Sequence, residues 1–227
     1  PLHQWSRQWE YPYCYSKISG HLTALGNAGG KAKAKILDAG SGATFFPHYI
    51  AALAPGSAVV CLDQDPTLPG IYARINATSD ARVRFELGDL HKLPFADAEF
   101  DIIYCISVLE HTDDYQKIIA EFRRVLKKDG ILIVTFDISI DGNADIPPDG
   151  AKKLMQAIQS RFQPQGALDR ETLLDRVYQD NVLSTRYINK VNKALLPWAF
   201  PRLVALKALA KLRIPRSLLL NLTVGCC

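Results

Sequence analysis

The sequence predicts an α/β protein: a doubly wound, mainly parallel sheet with helices on both faces. Three observations predict it. Short apolar runs alternate with amphipathic stretches through residues 35–137. Glycine-bearing turns punctuate the alternation. Asp38, Asp63 and Asp89 stand at or just beyond three successive apolar runs, 25 and 26 residues apart, about one strand–helix unit each. Parallel strands need a crossover between them, and such sheets bind ligands at the carboxyl ends of their strands.

Taken in order, Lys35-Ile36-Leu37-Asp38-Ala39 reads as a short strand, and Gly40-Ser41-Gly42 as a turn into an apolar helix reaching about Leu53. Ala54-Pro55-Gly56 stops that helix. Ser57–Leu62 is a buried strand ending at Asp63, Arg82–Leu87 alternates like a strand, and Phe100–Ile106 is a further apolar strand. Asp113–Lys128 is the clearest helix. Tyr115, Ile118, Ile119, Phe122, Val125 and Leu126 share one face, acids stand at its positive end and lysines at its negative end, and Asp129-Gly130 stops it. Ile131–Phe136 is then a buried strand. Residues 138–168 form a long connection with Pro147-Pro148 and a helix around Leu154–Phe162; a long connection at a strand end suggests a lid over a substrate. Residues 169–180 read as a helix and Val182–Ile188 as a sixth strand.

A chain of 227 residues, 48% of them hydrophobic, is enough for one sizeable core, and residues 1–227 read as a single domain. It divides into an aromatic, helical cap over 1–34, a core over 35–137, a lid over 138–180 and a strand–helix–strand over 181–227. Net charge is +4, unevenly spread. Residues 1–180 hold 19 Lys and Arg against 23 Asp and Glu, whereas 181–227 hold 8 Lys and Arg and no acid. The basic excess is confined to the tail and no recognition module is present, so nucleic acid is not an expected partner. The tail from Pro197 to Arg213 is basic and apolar. It reads either as a helix lying in a membrane interface or as one packed on the core. Five cysteines without metal-ligand spacing argue against a disulfide framework, a zinc site or any metal requirement. The amino terminus has no leader pattern and no apolar run approaches about 20 residues, so a reduced, cytoplasmic protein is expected.

The strand-end residues carry the chemistry. Gly40 and Gly42 let backbone approach a ligand closely. An acid after the second strand, Asp63, suits two ribose hydroxyls, and Asp89 suits an exocyclic amine such as that of adenine. A single strand-end Asp more often caps a helix; three in register point to a nucleoside-bearing cofactor. A dinucleotide would need a third glycine where Phe45 stands, which argues against a nicotinamide oxidoreductase. A cationic sulfonium fits an acidic rim better than pyrophosphate does. Asp65, before Pro66, reads as a cap.

Ile36–Gly42, Gly88–Asp101, Ser107–His111 and Phe122–Gly130 together resemble the motifs of class I S-adenosylmethionine-dependent methyltransferases, in the group of the ubiquinone and menaquinone methyltransferases. The resemblance spans about 100 residues in the family's order. It implies a Rossmann-like sheet of about seven strands with the seventh antiparallel, begun near Leu220 and holding Cys226-Cys227. It also implies that Asp38, Gly40, Ser41 and Gly42 hold the methionine part of S-adenosylmethionine. Asp63 and Gln64 would take the ribose, Asp89 and Leu90 the adenine, and Ile106 would lie near the methyl group. Thr44 departs from the family's frequent third glycine.

The resemblance implies methyl transfer by in-line displacement to an oxygen, nitrogen or carbon of a small molecule. His111 either serves as general base or caps the next helix. His48 and His91 read as helix surface and loop. Trp5, Trp9, Tyr11, Tyr13 and Tyr15 either stack on an acceptor or pack against the sheet, packing being the expectation for Trp5 and Trp9. The alternative is a non-catalytic cofactor-binding scaffold recruited to membranes by the basic tail. Acceptor and oligomeric state are not legible in the sequence.

Overall fold

A computed structural model of the chain describes residues 6–27, 33–79, 83–139, 146–165 and 217–226. Its elements are α1 (Arg7–Asn27), β1 (Lys35–Ala39), α2 (Phe46–Leu53), β2 (Ala58–Asp63), α3 (Leu68–Thr78), β3 (Arg84–Leu87), β4 (Phe100–Ile106), α4 (Tyr115–Val125), β5 (Leu126–Ser139), α5 (Pro148–Gln159), β6 (Phe162–Pro164) and β7 (Ser217–Cys226). The strands form one sheet in the order β3-β2-β1-β4-β5-β7-β6. The first five are parallel; β7 pairs antiparallel with both β5 and β6. The Rossmann-like sheet of seven strands with an antiparallel seventh is therefore present.

Side chains alternate across the strands with period two, and each face gathers its own core. Ile36, Val59, Cys61, Ile102, Tyr104 and Ile133 pack under α1, α2 and α3. Leu37, Val60, Leu62, Ile103, Cys105, Leu132 and Val134 pack under α4 and α5. In α4, Ile118, Ile119, Phe122 and Val125 are wholly buried. In α1 the buried stripe is Tyr11, Cys14 and Ile18, at helical spacing.

Four boundaries differ from the sequence reading. The second helix begins at Phe46 and not at the glycine turn, because residues 40–45 stay open as a loop. The helix expected to reach Lys128 ends at Val125, where β5 begins. The register of β5 against β4 shifts between Leu126 and Ile131, and glycine fits there because a Cβ at Gly130 would lie 2.7 Å from a Leu126 methyl and 2.9 Å from the Asp101 carbonyl. The helix of the expected lid spans Pro148–Gln159. Its Ala151, Leu154, Ala157 and Ile158 are fully buried, so this part of the connection is a layer of the fold. Phe162 belongs to β6 and not to that helix. The helix expected at 169–180, the strand at Val182–Ile188, the basic tail and Trp5 lie outside the described residues. Among the described residues, no helix is long and apolar enough to cross a membrane.

Candidate functional site

The strand order reverses between β1 and β4: β1 leads outward to β2 and β3, while β4 leads the other way. Crevices form at such a switch point. Here the crevice opens into two adjoining lobes of about 440 and 300 Å³ that share Gly40, Asp63, Gln64, Val108, His111 and Thr112.

The loop after β1 is the hub. The Gly40 and Ser41 amides donate to the Leu62 carbonyl at 2.8 and 3.0 Å, tying the loop to the end of β2. The Gly42 amide donates to Asp63 Oδ2 at 2.8 Å, and the Tyr72 hydroxyl donates to the Gly42 carbonyl at 2.9 Å. Gly40 has a φ of +77°, and a Cβ there would meet Val108 at 2.6 Å, so both conformation and space demand glycine. Asp63 Oδ1 accepts the Asp65 amide, and Asp65 Oδ1 accepts the Thr67 amide and hydroxyl in a turn ahead of α3, whose N-cap position is Thr67. Asp65 is therefore a turn residue and not the helix cap that its sequence suggested.

The larger lobe gathers Gly88, Asp89, Leu90, His91 and Asp113. His91 is more than a loop residue. Its Nδ1 lies 2.7 Å from Asp89 Oδ1, and its Nε2 lies 3.1 Å from the Asp113 carbonyl oxygen, so it bridges the end of β3 to the start of α4. The hydrogen bond to Asp89 raises the imidazole pKa above its ordinary value. The amide and ring of His91 hold the Asp89 carboxyl below its ordinary value.

The smaller lobe gathers Arg7, Tyr11, Asp38, Ser41, Gly42, Thr44, Phe46, Ile106 and Ser107. Asp38 is 4% exposed. Burial, reinforced by the charge of Asp63, pushes its carboxyl up to about 8 against the opposing effects of the Tyr104 hydroxyl and Arg7. Tyr11 stacks on Phe46 with centroids 4.8 Å apart. Tyr13 is hydrogen-bonded to Thr223 of β7 at 2.7 Å. Trp9 is 41% exposed, which overturns the expectation that it packs against the sheet.

His111 lines both lobes. A 3-10 turn at Leu109–His111 sets it there, anchored by buried Leu109 and by Glu110, whose Oε1 accepts the Asp137 amide of β5 at 3.3 Å. Burial pushes the Glu110 carboxyl up to about 8. His48 stacks on Tyr72 and does not line either lobe. Among the described residues, no group of three His, Cys, Asp or Glu could hold a metal ion.

All ten residues singled out from the sequence line this one crevice: Asp38, Gly40, Ser41, Gly42, Asp63, Gln64, Asp89, Leu90, Ile106 and His111. Sequence reasoning missed Arg7, Val108 and Thr112 and undervalued His91. The Asp-x-His spacing of 89–91 was the available signal for His91. For Arg7, 28 residues before β1, there was none.

Residues 37–134 match a family of methyltransferase domains. Over 104 residues the chain is 34% identical to a demethylmenaquinone methyltransferase of Thermus thermophilus, covering 46% of this chain and 47% of that one. Over 136 residues it is 32% identical to a malonyl-[acyl-carrier protein] O-methyltransferase of Laribacter hongkongensis, covering 56% and 42%. The matched part thus spans less than half of each relative. Among solved structures, phosphoethanolamine N-methyltransferase 2 of Haemonchus contortus in complex with S-adenosyl-L-methionine has a TM-score of 0.57 at 16% identity. The match covers 92% of this chain and 52% of that one, a likeness of fold. Both lobes lie at strand ends of the matched region, and α1 adds Arg7 and Tyr11 to the smaller one from outside it.

Proposed function

We propose that this protein transfers a methyl group from S-adenosylmethionine to a small-molecule acceptor. The observation that carries the reading is the placement of Asp38, Asp63 and Asp89, from three successive strand ends, in one two-lobed crevice. In this reading Asp89 and Leu90 take the adenine, Asp63 and Gln64 the ribose, and Asp38 with the Gly40–Gly42 loop the methionine part. The names of the relatives support the small-molecule class.

The cofactor supplies a methyl carbon bonded to a positively charged sulfur, already primed for displacement. The protein's part is alignment. Bound there, the cofactor would give that carbon to an acceptor lone pair while the carbon–sulfur electrons return to sulfur, which would leave as a neutral thioether. Where the acceptor is a hydroxyl, His111, at the junction of the lobes, takes its proton. Peripheral membrane contact through the basic tail is a separate proposal. It is supported by the charge of residues 181–227, and co-sedimentation with anionic vesicles would test it.

Calorimetric titration with S-adenosylhomocysteine tests the central reading. Wild-type protein should bind, and Asp63→Ala and Asp89→Ala should each weaken binding about tenfold or more, roughly 1.4 kcal/mol per tenfold. A folded wild-type protein that does not bind would overturn it.

A further inference from the structure

His91 joins two walls of the larger lobe, and the reading above gives it no task. One wall is the loop after β3, with Gly88, Asp89 and Leu90; the other is the segment ahead of α4, with Thr112 and Asp113. Both nitrogens of the ring face acceptors. Nδ1 lies 2.7 Å from Asp89 Oδ1, and Nε2 lies 3.1 Å from the Asp113 carbonyl oxygen and 3.3 Å from Asp113 Oδ1. A neutral imidazole carries one N–H and can serve one of these walls, whereas an imidazolium donates to both. The proton therefore decides whether the bridge is whole.

The ring is well placed for this. The His91 amide donates to Asp89 Oδ1 at 2.9 Å, and the Lys92 amide donates to the Asp89 carbonyl at 3.1 Å, so the turn that carries the ring is already formed. Neither carboxylate is held by burial: the Asp89 and Asp113 side chains are 58% and 95% exposed. Next to Asp113, Asp114 holds a φ of +43° where the chain turns into α4, a conformation that depends on surrounding contacts. The charges bearing on the bridge are the two carboxylates and Lys117 of α4, which acts on Asp89. The hydrogen bond to Asp89 outweighs partial desolvation and keeps the ring charged above its ordinary range.

We propose that His91 is a proton-operated latch on the larger lobe. As an imidazolium it staples the loop after β3 to the entrance of α4 and steadies the Asp89 carboxylate; without its proton it releases one wall and the lobe loosens. It is a positioning residue. The inference rests on the cofactor reading for its ligand and adds regulation: affinity of this lobe for a nucleoside falls as pH rises. The staple is complete below the ordinary imidazole value of about 6.5 and is lost as pH rises through the raised one.

The probe is 5′-methylthioadenosine, which has no amino-acid head and so does not report on Asp38. The bridge joins partly exposed groups, so wild-type affinity should fall by about threefold or more between pH 6 and pH 9 in calorimetric titration. His91→Gln cannot titrate and should bind at the weaker, high-pH level throughout. In the ligand-free wild type, hydrogen-exchange protection factors, corrected for the intrinsic pH dependence of exchange, should fall over the same range at the Lys92 and Lys117 amides, one in each joined segment, and stay flat in His91→Gln. Equal wild-type affinity at both pH values overturns the latch, leaves the cofactor reading standing and needs no variant. A slope that persists in folded His91→Gln also overturns it, by placing the proton elsewhere. Wild-type protein that binds neither this nucleoside nor S-adenosylhomocysteine overturns the cofactor reading; the exchange data then decide the latch alone, and pH-independent protection overturns it.

Discussion

At neutral pH a carboxyl with a pKa near 8 is mostly protonated, and Asp38 is such a group. A ligand ammonium favours the ionised form, so binding must displace the proton. Affinity for S-adenosylhomocysteine should therefore rise with pH, by up to about tenfold per unit, and level off above pH 8. Asp38→Asn should flatten that dependence, as titrations between pH 6 and 8.5 would reveal. For stability the sign is opposite. The folded pKa is raised above an unfolded value of about 3.9, so this group's contribution is full below that value and lost as pH rises through about 8. The ligand-free protein should gain thermal stability on Asp38→Asn at pH 8.5 and not at pH 4. Asp38 was legible in the sequence because it closes an apolar strand; its burial was not, because that depends on Tyr104 of β4 and on α1 lying over it.

The connection from β3 to β4 carries Asp89, Leu90 and His91 and has little regular structure of its own, so a neighbouring element must fix it. That element is α4. Arg124 donates to the Leu93 and Phe95 carbonyls at 3.0 and 2.7 Å and pairs with Asp97, while Glu121 accepts the Leu93 amide at 2.8 Å. Arg124→Met leaves two carbonyls without these donors. It should lower the denaturant-unfolding free energy by about 1–3 kcal/mol. It should also weaken S-adenosylhomocysteine binding by loosening the larger lobe. An unchanged unfolding midpoint would refute this role. The buried face of α4 was readable as a period of 3.6, but its end was not, because the decisive contact joins Gly130 to Asp101 on another strand. In α1 the buried stripe is Tyr11, Cys14 and Ile18. The surrounding aromatic residues, some exposed, hid that period in the sequence.

At the scale of the whole molecule, the parallel, doubly wound core was legible from alternating strands and helices, and the antiparallel β7 only through the resemblance to the methyltransferase motifs. The docking of α1 was not legible, since the residues that receive it lie far along the chain: Ser107 and Thr135, which donate to Glu10, and Thr223. Deleting residues 217–227 removes the partner of both β5 and β6 and the hydroxyl paired with Tyr13. The truncated chain should lose its cooperative thermal transition, and limited proteolysis should cut α1 first. A sharp melt with α1 still protected would count against this dependence. The same long-range contact orders events during synthesis. The segment bearing Arg7 leaves the ribosome before β7 and gains its last anchor only when β7 emerges. Until then a nascent chain holds a finished floor and an open wall, so the crevice matures from the inside outward and its first-made helix is the last to settle.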